Sequence, residues 1–160
     1  MRLSLPYPGG PHIDRLAQQG KAVLQFSQSR IGGYDYSFSG LKTGILYTLR
    51  DKLKENPNYL EENICDIAAS VQKAVVDSLI SKFEKAIKDT GIKNIAIAGG
   101  VSANSLLRQS IQTLGAKYGC EVFIPKFSYT TDNAAMVASA ALFKYMDNEF
   151  ADLSVAAYAR

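Results

Sequence analysis

The second half of the chain alternates between short apolar runs and segments of helical periodicity. Residues 94–98 and 121–124 are short and β-prone. Each is followed by a stretch in which apolar residues recur at helical spacing, about 102–118 and about 132–146. This alternation is typical of an α/β fold, in which successive strands run parallel. We therefore predict two parallel strands here, each followed by a helix.

The first half of the chain has a different pattern. Residues 22–26 and 34–39 are short β-prone segments, and we predict two antiparallel strands there, joined by a loop that ends at Gly32 and Gly33. After Gly40 the apolar positions recur at helical spacing instead, which predicts one helix that ends near Asn56 and a longer one that ends at Gly91. We expect both helices to pack on one face of the sheet. The positions that carry this periodicity are Leu41, Ile45, Leu49 and Leu53 in the first helix, and Ile64, Ile67, Ala68, Val71, Val75, Leu79 and Phe83 in the second.

Composition narrows the class of protein. The 160 residues fit one domain, and the 47% hydrophobic and 21% charged residues are ordinary for a folded globular protein. The net charge of +3 is mild and spread along the chain, so charge alone does not predict nucleic-acid binding. Cys65 and Cys120 have no CxxC spacing, which predicts neither a zinc site nor a disulfide framework. Without a secretion signal or a long apolar run, we expect a cytoplasmic protein that does not enter a membrane.

The stretch "NIAIAGGVSANSLLRQS", residues 94–110, is a strand-to-helix turn, and ligands of open α/β sheets collect at the carboxyl ends of strands. Gly99 and Gly100 have no Cβ, so a ribose or a base could lie directly on the backbone, and the Asn104 amide could hydrogen-bond it. The motif is neither GxGxxG nor a P-loop. The structural alternative is a tight turn, with Ser102 as the cap of the next helix. The residues alone leave both readings open.

The stretch "YTTDNAAMVASAA", residues 129–141, places Asp132 and Asn133 at the start of a helix. Asp and Asn are favoured N-caps, and this is the simpler reading. The alternative is that Asp132 is a metal ligand, although a single carboxylate does not make a metal site. The sole His, His12, lies far away in the sequence and is interpreted as a surface or helix-start residue.

Two further turns have both a functional and a structural reading. Residues 34–44 carry hydroxyl groups and Lys42 around Gly40, which could contact an anion. Ser39 is equally an ordinary helix cap in this segment. Residues 6–11, "PYPGGP", form a rigid turn whose glycines expose backbone amides.

Four of these motifs together resemble one protein family in order and spacing. They are "YPGGP" at 7–11, "DYSFSGLKT" at 35–43, "AGGVSANSLLR" at 98–108 and "TDNAAM" at 131–136. The chain is identified on them as a member of the TsaD family, formerly called the O-sialoglycoprotein endopeptidase or glycoprotease family.

The resemblance implies the fold. The family has the two-lobed architecture of actin, hexokinase and Hsp70-like ATPases, with ribonuclease H-like lobes, so we expect an incomplete α/β lobe with a mixed sheet flanked by helices. The family's HxxxH pair, its "SGGHT" type of phosphate turn and an Asp just before "YPGGP" do not occur in this sequence. We therefore expect residues 1–160 to be a single carboxyl-terminal lobe, without the amino-terminal lobe.

The resemblance also implies an activity. Enzymes of the family transfer a threonylcarbamoyl group from threonylcarbamoyl-AMP to the exocyclic amine of the adenine beside the anticodon, in tRNAs that read ANN codons. Gly10 and Asn104 match nucleotide contacts, Gly99 and Gly100 shape the pocket, and Asp132 matches a ligand of an iron or zinc ion held with two His of the other lobe. ATP is a further expected nucleotide ligand, and we expect no metal in the fragment itself. No general base is assigned.

Partners and alternatives follow from the same resemblance. The expected partners are tRNA, a TsaB-like paralogue and a TsaE-like ATPase, and the fragment alone is expected to be inactive. One alternative is a binding or assembly module that docks the paralogue or forms a homodimer through exposed sheet edges. The older metalloprotease label ranks last, because no HExxH helix is present to hold a zinc ion beside a general base.

Overall fold

The computed structural model of the chain describes residues 6–27 and 31–156. Within these ranges six helices and two strands follow one another, with short 3-10 turns at Gly100–Ala103 and Phe127–Tyr129. In chain order the elements are α1 (Gly9–Ala17), α2 (Phe38–Glu55), α3 (Tyr59–Glu62), α4 (Ile64–Thr90), β1 (Asn94–Ala96), α5 (Ser105–Tyr118), β2 (Glu121–Phe123) and α6 (Ala134–Met146).

The two strands form a parallel pair. Ile95 of β1 lies opposite Val122 of β2, and α5 makes the crossover between the strands. The predicted α/β half with parallel strands is thereby confirmed. The described residues contain this two-stranded sheet alone, so the mixed sheet that we expected is not found among them.

The predicted antiparallel strands are wrong. Residues 22–26 form no strand, because side chains of α4 satisfy their backbone: the Leu24 N–H donates to Ser70 Oγ at 3.0 Å, and just before them the Lys21 N–H donates to Asp66 Oδ1 at 2.7 Å. Residues 34–37 are likewise irregular, and α2 begins directly after them. Residues 28–30 of the predicted connecting loop lie outside the described residues.

The core next to the sheet joins the strands to α4 and α5. Ile87 of α4, Ile95 of β1, and Ile111 and Leu114 of α5 form one cluster of buried side chains. Burial of such side chains contributes about 1.5 to 3 kcal/mol each. The prediction that α2 and α4 share this face holds for α4 only, since no α2 residue belongs to the cluster in the described part of the chain.

A polar network supports the packing of α4 against α5. The Glu84 carboxylate accepts hydrogen bonds from the Tyr118 hydroxyl and from Lys117 Nζ at 2.9 Å, and it pairs with Lys88 at 3.2 Å. These donors, with Tyr118 the strongest, lower the pKa of Glu84 to about 2. Glu84 is therefore ionised at neutral pH and links the two helices.

Helix α6 buries none of its 13 residues. Its apolar side chains are largely exposed, among them Val137 at 69%, Leu142 at 56% and Phe143 at 68%. A helix that is apolar on all sides is normally buried. Helix α6 therefore presents apolar surface that the described residues leave uncovered. No helix in the described ranges is long and apolar enough to cross a bilayer.

Candidate functional site

A cavity of about 470 Å³ lies between the amino-terminal turns of α1 and the turn that precedes α5. Gly10 and Asp14 line it from α1, and Gly100 and Asn104 line it from the other side. A smaller cavity of about 180 Å³ shares Gly10 and Asn104 with it and is lined mainly by apolar side chains. Three of the predicted site residues, Gly10, Gly100 and Asn104, thus lie on one cavity although up to 94 residues separate them.

The glycines of this site differ in what they do for the fold. Gly99 has φ of +75°, a conformation that residues with a side chain rarely adopt, so the turn itself favours glycine at this position. Gly10 and Gly100 have ordinary backbone angles, and a Cβ at either position would meet no atom within 4 Å. Packing therefore does not require these two glycines, and their bare backbone leaves room in the cavity.

Asn104 has two roles in the local structure. Its Oδ1 accepts from the Leu107 N–H at 2.9 Å and caps α5, and its Nδ2 donates to Asp14 Oδ1 at 3.2 Å. The prediction that Ser102 caps this helix is wrong. Ser102 is buried and its hydroxyl donates instead to the Gly99 carbonyl at 2.7 Å, which closes the turn.

Asp14 is a cavity residue that the sequence reasoning missed. Its Oδ1 accepts four hydrogen bonds: from Asn104 Nδ2, from the Ser105 hydroxyl at 2.7 Å, from the Ser105 N–H at 3.3 Å and from Gln72 Nε2 at 3.0 Å. A local signal did exist, because Asp14 lies four residues after Gly10 and so on the same face of a helix. Its partners were not predictable, since they are 58 to 91 residues away.

Asp132 is exposed and does not line the cavity. The cap of α6 is its neighbour Asn133, whose Oδ1 accepts from the Met136 N–H at 3.0 Å. His12 lies on α1, where its ring contacts Arg15 at 3.3 Å. No group of three His, Cys, Asp or Glu residues that could hold a metal is found in the part of the chain that the structure describes. These residues do not form a metal site by themselves.

The turn at residues 34–44 lies apart from the residues that line the cavity. The cap of α2 is Ser37, whose Oγ accepts from the Gly40 N–H at 3.4 Å, so the prediction that Ser39 is the cap is wrong. Lys42 is exposed on α2.

Comparison with known proteins agrees with the resemblance. The model of the TsaD family, described as tRNA N6-adenosine threonylcarbamoyltransferase, matches residues 1–139. A protein of that name from Riemerella anatipestifer is 54% identical over 157 residues, which are 98% of this chain and 46% of that protein. The one from Porphyromonas gingivalis is 49% identical, over 99% of this chain and 47% of its own length. The one from Carboxydothermus hydrogenoformans is 44% identical, over 98% of this chain and 45% of its own length. The chain spans just under half the length of these curated relatives.

Proposed function

We propose a function from the premise that this chain belongs to the TsaD family of tRNA N6-adenosine threonylcarbamoyltransferases. The chain is the carboxyl-terminal, nucleotide-binding part of such an enzyme, one lobe of an actin-like and hexokinase-like architecture. The complete enzyme would transfer threonylcarbamoyl from threonylcarbamoyl-AMP to the exocyclic amine of the adenine beside the anticodon. Gly10, Gly99, Gly100 and Asn104 would form the nucleotide site.

The observation that supports this proposal is the cavity between α1 and the start of α5. Its volume of about 470 Å³ lies within the range of ordinary ligand sites. The open backbone at Gly10 and Gly100 lets a flat ring or a sugar approach closely. Asn104 keeps one N–H and one lone pair beyond its two internal hydrogen bonds, and Asp14 supplies an acceptor. These groups suit a nucleoside, which has both donors and acceptors.

The reaction is an acyl transfer. The adenine amine attacks the carbamoyl carbon, a C–N bond forms, the C–O bond to the phosphate breaks, and AMP leaves while the amine loses a proton. This chain would hold the AMP part of the donor and fix its orientation. The target adenine has to be unstacked to react, which is easiest in a single-stranded loop. We assign no general base to this chain.

The metal assignment is also a proposal. Asp132 would give one carboxylate oxygen to an iron or zinc ion, and the two His ligands would belong to the part of the relatives that this chain does not cover. Because the described residues do not form a metal site alone, no step above is assigned to the ion. We expect the isolated chain to be inactive, and detectable threonylcarbamoyl transfer by the chain alone would contradict this.

The proposed partners are tRNA, a TsaB-like paralogue and a TsaE-like ATPase, with ATP as a further nucleotide ligand. A homodimer of the isolated chain is proposed as well. The exposed apolar side chains of α6 support association of this chain with another protein surface, because water-exposed apolar surface favours burial.

Calorimetric titration of AMP with magnesium tests the nucleotide site. We expect the folded chain to bind AMP, and Asn104→Ala to weaken binding by about threefold to tenfold through the loss of one hydrogen bond. Asn104→Ser is the matched variant, because its hydroxyl can still cap α5 but is too short to replace the amide in the cavity. Binding as tight in both variants as in the wild type would contradict a ligand contact at Asn104. No binding by the folded wild-type chain would contradict the site.

A further inference from the structure

Gln72 is a polar side chain buried within an apolar helix face. It is 6% exposed and lies on α4 among the buried residues Ala68, Ala69 and Val76. Its Oε1 is buried and has no hydrogen-bond partner among the described residues. An unpaired buried acceptor destabilises a protein by about 1 to 3 kcal/mol, a penalty that Met or Leu at this position would avoid. The NH₂ group is therefore the end of the amide that can account for a polar residue at this position.

The NH₂ group of Gln72 lies 3.0 Å from Asp14 Oδ1. Because an ionised carboxylate can only accept, this contact fixes the orientation of the amide and directs Nε2 toward Asp14. Gln72 is the one donor to Asp14 from α4, since the other described donors all lie at the start of α5. The carboxylate is thus held from two helices at once.

All four hydrogen bonds end on the same oxygen of Asp14. Oδ1 accepts every one of them, and in the described part of the chain Oδ2 has no hydrogen bond. Asp14 also lines the larger cavity. One oxygen is therefore fully used by the protein, while the other keeps its capacity to accept.

We propose that Gln72 is a positioning residue for the bound nucleotide. By holding Oδ1, its amide keeps Oδ2 of Asp14 turned toward the cavity, where Oδ2 accepts a hydrogen bond from the ligand. This rests on the nucleotide site proposed above. Gln72 does not line the larger cavity, so its effect on a nucleotide bound there passes through Asp14.

A double-mutant cycle on AMP binding tests this. Gln72→Met keeps the length and the burial of the side chain but removes the donor, and we expect AMP to bind about threefold to tenfold more weakly. In the Asp14→Asn background the same substitution should change binding by less than about twofold, because residues that act through each other are not additive. Gln112→Met, on the exposed side of α5, is the control and should bind AMP as the wild type does.

The contact itself has a spectroscopic signature that needs no ligand. In ¹⁵N-labelled protein, the Gln72 side-chain amide should give a shifted, slowly exchanging pair of signals, and Asp14→Asn should move that pair. Gln112 should give ordinary solvent-exposed signals in both proteins. Signals of Gln72 that are insensitive to Asp14→Asn would overturn the proposal.

The outcomes separate the two levels of the proposal. The positioning role is refuted if Gln72→Met binds AMP as tightly as the wild type. It is also refuted if Gln72→Met lowers AMP affinity equally in the wild-type and Asp14→Asn backgrounds. In both cases the nucleotide site stands. Failure of the folded wild-type chain to bind AMP refutes the nucleotide site, and the positioning role with it, even where the amide signature is observed.

Discussion

The hydroxyl of Ser105, the first residue of α5, donates a 2.7 Å hydrogen bond to the carboxylate of Asp14 on α1. The two residues are 91 positions apart in the sequence. Helix α1 itself has no buried residue and no side-chain cap. The Asp14 contacts therefore contribute to holding this short helix against the start of α5 and keep the two walls of the cavity together.

Removal of the Asp14 carboxylate should loosen this attachment. We expect Asp14→Ala to lower the free energy of unfolding by about 2 kcal/mol, because charge-assisted hydrogen bonds are lost and their donors are left without a partner. Urea denaturation followed by circular dichroism measures the change. Asp35→Ala is the control, an exposed carboxylate with no hydrogen bond among the described residues, and should stay within about 0.5 kcal/mol of the wild type. Equal stability of both variants would contradict the role of Asp14.

Two glycine substitutions should separate an effect on AMP binding from an effect on stability. Gly100→Ala places a methyl group in open space at the cavity, so stability should change little while AMP binding weakens. Gly20→Ala places a Cβ on the backbone carbonyl of Cys65, which cannot move aside easily, and should destabilise the protein by about 1 to 3 kcal/mol. Thermal melts and AMP titrations on both variants measure this. Unchanged AMP affinity in a folded Gly100→Ala protein would argue against a ligand at that wall.

The Glu84 network should make stability depend on acid. The pKa of this carboxyl is lowered from its usual 4.5 to about 2, so the folded state favours the ionised form. The stabilisation is present above pH 4.5 and is lost as the pH falls from there to about 2. Thermal melts across this range should show a steeper loss of stability for the wild type than for Glu84→Gln.

Glu61→Gln serves as the control for that experiment. Glu61 is exposed on α3, and its side chain has no hydrogen bond or ion pair among the described residues. This variant should reproduce the acid dependence of the wild type. Parallel pH profiles for the wild type and Glu84→Gln would show that the network contributes nothing that protonation removes.

The exposed side chains of α6 should cause the isolated chain to self-associate. We expect sedimentation at micromolar concentration to show species larger than a monomer, because surfaces of this kind are normally buried. Leu142→Glu combined with Phe143→Glu should shift the distribution toward monomer through charge repulsion and loss of apolar area. Gln109→Glu combined with Gln112→Glu adds the same charge to exposed polar positions of α5 and should leave the distribution unchanged. A wild-type chain that is strictly monomeric would contradict this expectation.

Elements with strong local patterns were predictable from the sequence. The long periodic runs gave α2 and α4 nearly to their observed ends, since the helical spacing of apolar residues and the positive φ of Gly91 are local properties. The parallel pair followed from the alternation of strand and helix. The family was also confirmed, because motifs in a fixed order carry more information than any single one.

What failed depends on contacts between distant residues. Residues 22–26 are β-prone, but Ser70, 46 positions from Leu24, takes the backbone N–H that a strand would have used. Ser102 has the chemistry of a cap and was predicted to cap the helix, yet the cap is Asn104, two residues later. Asp14 was passed over because its partners come from α4 and α5. Local propensity does not include these hydrogen bonds, so the sequence predicted only some of the residues that line the cavity.

The two roles of Asn104 have a consequence for protein engineering. The same amide starts α5 and forms part of the cavity wall. A change at residue 104 therefore alters ligand preference without moving the start of the helix only where the new side chain, such as that of Ser, can still cap α5. A library that restricts residue 104 to capping residues and varies the other residues of the cavity would sample new walls while the helix start stays in place.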